Sequence, residues 1–209
     1  MKLLLVGSTG LVGREVLKLA LQDSRVTSIV APMRRTLLTH PKLESPIIDF
    51  ENLPTDVSWW RADAVICTLG TTMATAGSKE AFYRVDHDYP LMVAELAHEH
   101  GTSTYVLNSA IGADASSRVF YTRVKGELER DLMQVGFKSL TFVQPGVIGG
   151  VRDELRIGER ALTSVLKVFG PVLPARWRIN PAEKIAAALL EAALQSQPGI
   201  HRVTSDRLI

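Results

Sequence analysis

The sequence predicts an α/β fold: a doubly wound parallel sheet of about seven strands, with a small lobe towards the C-terminal end. Three observations carry that reading. Short runs rich in Val, Ile and Leu alternate along the chain with amphipathic stretches. The short runs are apolar on both alternating faces, as strands covered by helices on both sides must be. A glycine-rich turn joins the first run to the first amphipathic stretch.

Length and composition agree with this. The chain has 209 residues, 46% of them hydrophobic, enough for one domain spanning 1–209 with its own core. Its 24 Lys and Arg against 22 Asp and Glu leave a net charge of +2, too weak a field to mark a nucleic-acid or membrane partner. Cys67 is the only cysteine, which excludes an internal disulfide framework and a cysteine-based metal cluster. It also points to a reducing, cytoplasmic setting. The apolar run at residues 3–6 is broken by glycine at once, too short for a signal peptide or a spanning helix.

Taken in order, residues 3–6 form the first strand, and 11–21 a helix with Leu11, Val12, Val16, Leu19 and Ala20 near one face. The second strand, 26–31, ends at Pro32; the third is placed at 46–50 and the fourth at 64–68. A helix follows over 78–98, kinked at Pro90 and stopped at Gly101. The fifth strand, 103–107, leads to a helix over 120–135 that Gly136 stops, and the sixth strand, 140–144, ends at Pro145-Gly146. Beyond it the rhythm changes to a helix over 155–169, a loop at 170–174, a helix over 182–195 and a short strand at 201–204. Residues 147–180 are too few to hold a core alone and read as a lobe over the site.

Gly7, Gly10 and Gly13, with Ser8, Thr9, Leu11 and Val12 between them, make G-x-x-G-x-x-G between strand and helix. A tight turn, bare backbone amides and the positive end of a helix suit a pyrophosphate. The pattern departs from the commoner G-x-G-x-x-G at Ser8-Thr9, and its bland alternative is a structural βα turn. The end of the second strand selects the cofactor. No acid stands where NAD would need one for its ribose hydroxyl; Arg34 and Arg35 stand there instead, and guanidinium forks suit the 2′-phosphate of NADP(H). Asp49 and Phe50 are candidates to flank the adenine, or else simply open a loop.

Tyr121 and Lys125 form Y-x-x-x-K on one face of a helix. A free tyrosine titrates near 10, too high for a base at neutral pH, and a neighbouring cation lowers that value. Tyr121 then passes a proton to or from a substrate oxygen. Ser109, at the carboxyl end of the fifth strand, stands where open α/β sheets bind ligands, and its hydroxyl is a candidate to polarise a carbonyl; the alternative is a loop-capping role. His40, His87, His98 and His100 show no metal spacing, and His87 reads as part of a solvated helix start.

The chain resembles the short-chain dehydrogenases and reductases of the atypical group, most closely the Tat-interactive-protein-like oxidoreductases. The likeness runs through Gly7 to Gly13, Arg34-Arg35, Asp49-Phe50-Glu51, Cys67 to Thr72, Val85 to Tyr89, Ser109 with Gly112-Ala113-Asp114, Tyr121 to Glu127, and Gln144 to Val147. It implies a Rossmann-type sheet of order 3-2-1-4-5-6-7 with NADPH across the carboxyl edge. By the same resemblance, Tyr121 is the proton donor and Lys125 holds the nicotinamide ribose. Leu69, Gly70 and Thr71 line the cofactor near its centre, Pro145, Gly146 and Val147 wall the nicotinamide, and Ser109 polarises the substrate. Two departures stand out: Gln144 where relatives often have Arg, and Asn108-Ser109-Ala110, with one hydroxyl where relatives have two. The expected activity is NADP(H)-dependent hydride transfer to or from a small carbonyl or alcohol, in a homodimer or monomer. The rival is an NADPH-binding regulatory protein with little turnover.

Overall fold

The computed structural model describes residues 1–33, 39–149 and 179–209. Six strands come from residues 1–144: β1 Lys2–Val6, β2 Ser28–Val30, β3 Leu43–Glu44, β4 Ala64–Cys67, β5 Thr104–Asn108 and β6 Ser139–Gln144. After them come a short pair, β7 Ile148–Gly149 with β8 Asn180–Pro181, and the last strand, β9 Gly199–Thr204. The main sheet has seven strands in the order β3-β2-β1-β4-β5-β6-β9. Every pairing in it is parallel. That is the doubly wound sheet the sequence predicts, in the strand order its resemblance implies.

Alternation along the strands sorts the core into two layers. Leu3 and Leu5 of β1 pack on one face with Val12 and Val16 of α1 (Leu11–Gln22) and Ile185 and Leu189 of a C-terminal helix. Leu4 and Val6 face the other way, among Val93, Ala97, Leu128, Leu132 and Trp60. Each buried Leu or Val contributes about 1.5–3 kcal/mol relative to exposure. With both faces apolar, polar chemistry is pushed to the ends of the strands.

The third strand is shorter and earlier than its predicted 46–50. Leu43 and Glu44 pair with Ile29 and Val30. Further on, among the described residues, the pairing thins to an isolated bridge between Met33 and Ile47. Pro46 has no N–H with which to continue the ladder. Asp49 then turns the chain away: its carboxylate accepts the Glu51 N–H at 3.0 Å.

The predicted 78–98 helix is three pieces in continuous succession. A four-residue helix, α2 (Met73–Ala76), precedes it. Next, α3 (Lys79–Tyr83) is capped by Ser78 Oγ, which accepts the Ala81 N–H at 3.1 Å. A π-helical turn spans Arg84–Asp88, and α4 runs Tyr89–Glu99. The widened turn lies directly before Pro90. A proline there cannot donate to the carbonyl four residues back and would clash with it, and the wider turn relieves both problems. At the far end Gly101 N–H donates to His98 O and Thr102 N–H to Ala97 O, both at 2.9 Å, closing the helix where glycine predicts.

The helix α5 is Phe120–Val135, ended at Gly136, and α6 is Ala182–Gln195, both as predicted. Arg34, Arg35, the 155–169 helix and the 170–174 loop lie outside the described residues, as does most of the 147–180 lobe. Its last residues are firmly held. Asn180 is fully buried. Its Oδ1 accepts the Gly146 N–H at 2.7 Å and its Nδ2 donates to Ser205 O at 2.8 Å. Replacing Asn180 with Ala strands both backbone groups. It is expected to lower stability by about 2–4 kcal/mol in urea unfolding, with no change in the denaturant slope.

Candidate functional site

The site is built at the carboxyl ends of β1, β4, β5 and β6. Gly7 turns the chain out of β1 at φ +87°, and a Cβ there would lie 2.7 Å from Thr68. A Cβ on Gly13 would lie 2.1 Å from the Gly7 carbonyl oxygen, so α1 packs on the turn only as glycine. Gly10 differs. A Cβ on it would meet only Gly7 O, at 3.4 Å, an ordinary contact. The internal packing does not demand glycine there; an unobstructed backbone facing outwards would. Gly10 also starts α1 with no side-chain cap, and the first turn holds no acid to neutralise its positive end. Ser8 Oγ is buried without a hydrogen-bond partner among the described residues. An orphaned hydroxyl, a bare turn and an uncapped helix start together fit a dinucleotide pyrophosphate. Leu11 and Val12 serve the helix itself, and Thr9 is exposed at the turn.

Beyond β4, Leu69, Gly70 and Thr71 run along the same edge. Thr71 N–H donates to Asp86 Oδ2 at 2.7 Å. The other oxygen of Asp86 meets Lys125 Nζ at 2.7 Å. Lys125 is 3% exposed and Asp86 1%. Burial alone would strip the Lys125 proton, but the Asp86 carboxylate, helped by Tyr121, more than offsets it and holds the ammonium above its ordinary range. The folded pair binds its proton more tightly than the unfolded chain does. Its contribution is therefore complete below the ordinary lysine value and is lost as pH rises through the folded one.

Tyr121 stands one turn before Lys125 on α5 and is 42% exposed. Its ring meets Phe82 edge-on with centroids 6.0 Å apart, which orients the phenol and leaves it open to solvent. The structure thus brings a charged, buried lysine and an accessible tyrosine onto one helix face beside the 69–71 loop.

Ser109 is held elsewhere. It is buried, and its hydroxyl donates to Glu129 Oε1 at 2.5 Å. Gln144 Nε2 donates to the same carboxylate at 2.9 Å, and Arg202 Nε lies 3.7 Å from its other oxygen. A hydroxyl has one proton, and here it is spent on Glu129. Beside it, Asn108 Oδ1 is buried with no partner among the described residues. Pro145, Gly146 and Val147 form a fixed wall: Pro145 O accepts the Ile111 N–H, and Val147 O accepts the Asn180 N–H, each at 2.8 Å.

Asp49 is engaged in its own turn, accepting from Glu51 and, at 3.2 Å, from Asn52 Nδ2. Phe50 stacks on Tyr89 with centroids 5.3 Å apart. Tyr89 donates to Glu51, and burial followed by that carboxylate pushes its pKa up to about 12. His87 corrects the solvated-helix reading. It is buried, with Nδ1 2.9 Å from Asp88, Nε2 3.0 Å from Asp131, and Tyr83 stacked on its ring. The π turn rotates it into the groove between α4 and α5.

Sequence reasoning missed Asp86, Glu129 and Asn180. Asp86 and His87 lay in view as a run between Val85 and Tyr89, but nothing in the run says which faces inwards. That depends on the wider turn.

Comparison with known proteins completes the picture. No protein-family model matches the chain. The protein named Fmp52, mitochondrial, of Emericella nidulans is 34% identical over 210 residues, covering 93% of this chain and 88% of its own length. Its namesake in Eremothecium gossypii is 37% identical over 158 residues, covering 73% and 69%. The chain belongs to the Fmp52 family. Both relatives are named as mitochondrial, which overturns the cytoplasmic expectation. A single buried thiol reports a protein built without disulfides, and that condition does not separate one reducing compartment from another. Among solved structures, MoeE5 in complex with UDP-glucose and NAD superposes with a TM-score of 0.74 at 14% identity, covering 97% of this chain and 75% of its own. The oxidoreductase ylbE of Lactococcus lactis superposes at 0.70 and 17%, covering 100% and 94%. At those identities the likeness establishes the fold alone, one shared by a protein solved with NAD and by a protein named as an oxidoreductase.

If Ser109 chiefly holds Glu129, Ser109→Ala deprives a buried carboxylate of a donor. It is then expected to cost about 1–3 kcal/mol in a denaturation curve.

Proposed function

We propose that this Fmp52-family chain is an NADP(H)-dependent oxidoreductase that moves a hydride between the nicotinamide and a small carbonyl or alcohol. The observation that carries the reading is the buried, charged Lys125 one helical turn from the exposed Tyr121, at the sheet edge that also holds the uncapped glycine turn and the orphaned Ser8 hydroxyl. When bound, the dinucleotide supplies or takes the hydride. The chain does the rest. Gly7 to Gly13 and the start of α1 hold the pyrophosphate, Leu69 to Thr71 line the middle of the groove, and Pro145 to Val147 wall its end. Arg34 and Arg35, on the sequence argument, take the 2′-phosphate. Lys125 orients the ribose and lowers the cost of a phenolate, and Tyr121 moves the proton at the substrate oxygen. The relatives are named as mitochondrial, which supports mitochondria as the setting of this activity, and the narrower resemblance to Tat-interactive-protein-like chains supports an NADPH site.

One observation favours a second reading, a dinucleotide-binding protein with little turnover: the hydroxyl of Ser109 is already committed to Glu129. Fluorescence titration with NADPH and NADH, followed by a carbonyl screen, separates the two. NADPH is expected to bind more tightly than NADH, and Arg34→Ala with Arg35→Ala to remove about 1.5–3 kcal/mol of that preference, roughly ten- to a hundredfold in Kd. On any substrate found, Tyr121→Phe is expected to lower kcat by about a hundredfold or more while leaving NADPH affinity in place. Full turnover in that variant would end the acid/base assignment.

A further inference from the structure

We infer that Asp86 is the positioning residue of this site: one carboxylate oxygen keeps Lys125 charged and aimed along α5, and the other fastens the 69–71 loop to it. The inference rests on the oxidoreductase reading for its purpose, but its geometry stands independently. Lys125 Nζ and Asp86 Oδ1 are 2.7 Å apart, and Asp86 Oδ2 accepts the Thr71 N–H at 2.7 Å. Both side chains are almost wholly buried. Stability is a weak reason to keep such a pair, because apolar groups of similar volume serve a core as well or better. Position is a stronger one. The pair joins three elements at the edge where the cofactor groove lies: the π turn, the loop after β4, and α5.

The π turn is what makes the contact. Pro90 widens the helix at Arg84–Asp88, and within that wider turn the Asp86 side chain points inwards towards α5. The groups that bear on the Lys125 charge are Asp86 on the π turn, Tyr121 on its own helix and Cys67 at the end of β4. Burial pushes the Cys67 thiol up, which keeps it neutral, and Tyr121 stands one helical turn away, whereas the Asp86 carboxylate touches the ammonium at 2.7 Å. Asp86 is therefore the full counter-charge in the resting site. Without it, a lysine this deeply buried gives up its proton, and with the proton goes the cation that stabilises a Tyr121 phenolate. The same loss frees the Thr71 amide, and the loop along the middle of the groove is no longer tied to α5.

The test uses the full chain and two readouts other than turnover. Carbon-13 NMR of labelled lysine methylenes follows the ionisation of Lys125, assigned by Lys125→Arg, and fluorescence titration follows NADPH affinity. In the unaltered protein Lys125 should stay charged through the ordinary lysine range. In Asp86→Asn, of nearly the same shape, its proton affinity should fall at least tenfold and NADPH should bind about tenfold more weakly. A Lys125 that titrates at or below the ordinary lysine range in the unaltered protein overturns the inference, and this measurement holds even if Asp86→Asn does not fold. An Asp86→Asn protein with unchanged Lys125 ionisation and unchanged NADPH affinity overturns it too. If the unaltered protein fails to bind either dinucleotide, yet Lys125 is charged and Asp86→Asn discharges it, the oxidoreductase reading falls and the hold of Asp86 on Lys125 stands.

Discussion

The carbonyl oxygen of Gly7 lies 2.1 Å from where a Cβ on Gly13 would stand, and Thr68 crowds the same turn from the neighbouring strand. This crossing leaves room for backbone alone. It sets how closely α1 lies against β1 and β4, and so where the positive end of α1 points. The rest of the site is arranged around that end. The 69–71 loop leaves β4 directly after Thr68, and Asp86 and Lys125 are joined to that loop. A side chain at either glycine would part the helix from the sheet and open the groove from its floor.

A sheet apolar on both faces has little room for buried charge, and the described residues place theirs with care. Lys125 and Asp86 are paired, with a backbone amide completing the carboxylate. Glu129 gathers Ser109, Gln144 and Arg202. Glu129 is carried by α5 and Asp86 by the π turn that packs against it. Their difference decides their roles. Glu129 is surrounded by donors on the β5, β6 and β9 side and consolidates the wall of the site. Asp86 faces a single cation, the buried Lys125. The buried polar atoms still lacking partners among the described residues include Ser8 Oγ and Asn108 Oδ1, one at the glycine turn and one at the end of β5. Unsatisfied groups of that kind are expensive in a finished core and are natural where a ligand completes the bonding.

Much of this was legible from the chain alone, because it is local. Three glycines at fixed spacing after an apolar run state a turn, a strand and a helix start without reference to anything distant. The helices at 120–135 and 182–195 and the strand order follow from periodicity, stop signals and resemblance. Tyr121 and Lys125 share a face because four residues make roughly one helical turn. The third strand falls earlier than its pattern predicts: Ile47, Ile48 and Phe50 read as extended, while Pro46 and the Asp49 turn take them out of the ladder.

What the sequence by itself determined is the set of local choices: where strands and helices form, where glycine must stand, and which reactive residues share a helix. The tertiary structure alone decided which partners those residues meet. Pro90 announces a disturbance in its helix, but only the packed π turn shows that Asp86 swings to Lys125 and His87 to Asp131. Ser109 reads as a substrate-polarising hydroxyl from the chain alone, and only the folded structure shows that, at the end of β5, it donates to Glu129 of α5. The physical reason is the same in each case. Hydrogen bonds and ion pairs are short-ranged and directional, and their partners come from elements far apart in the chain. Their pairing therefore exists only once the sheet and both helical layers have closed.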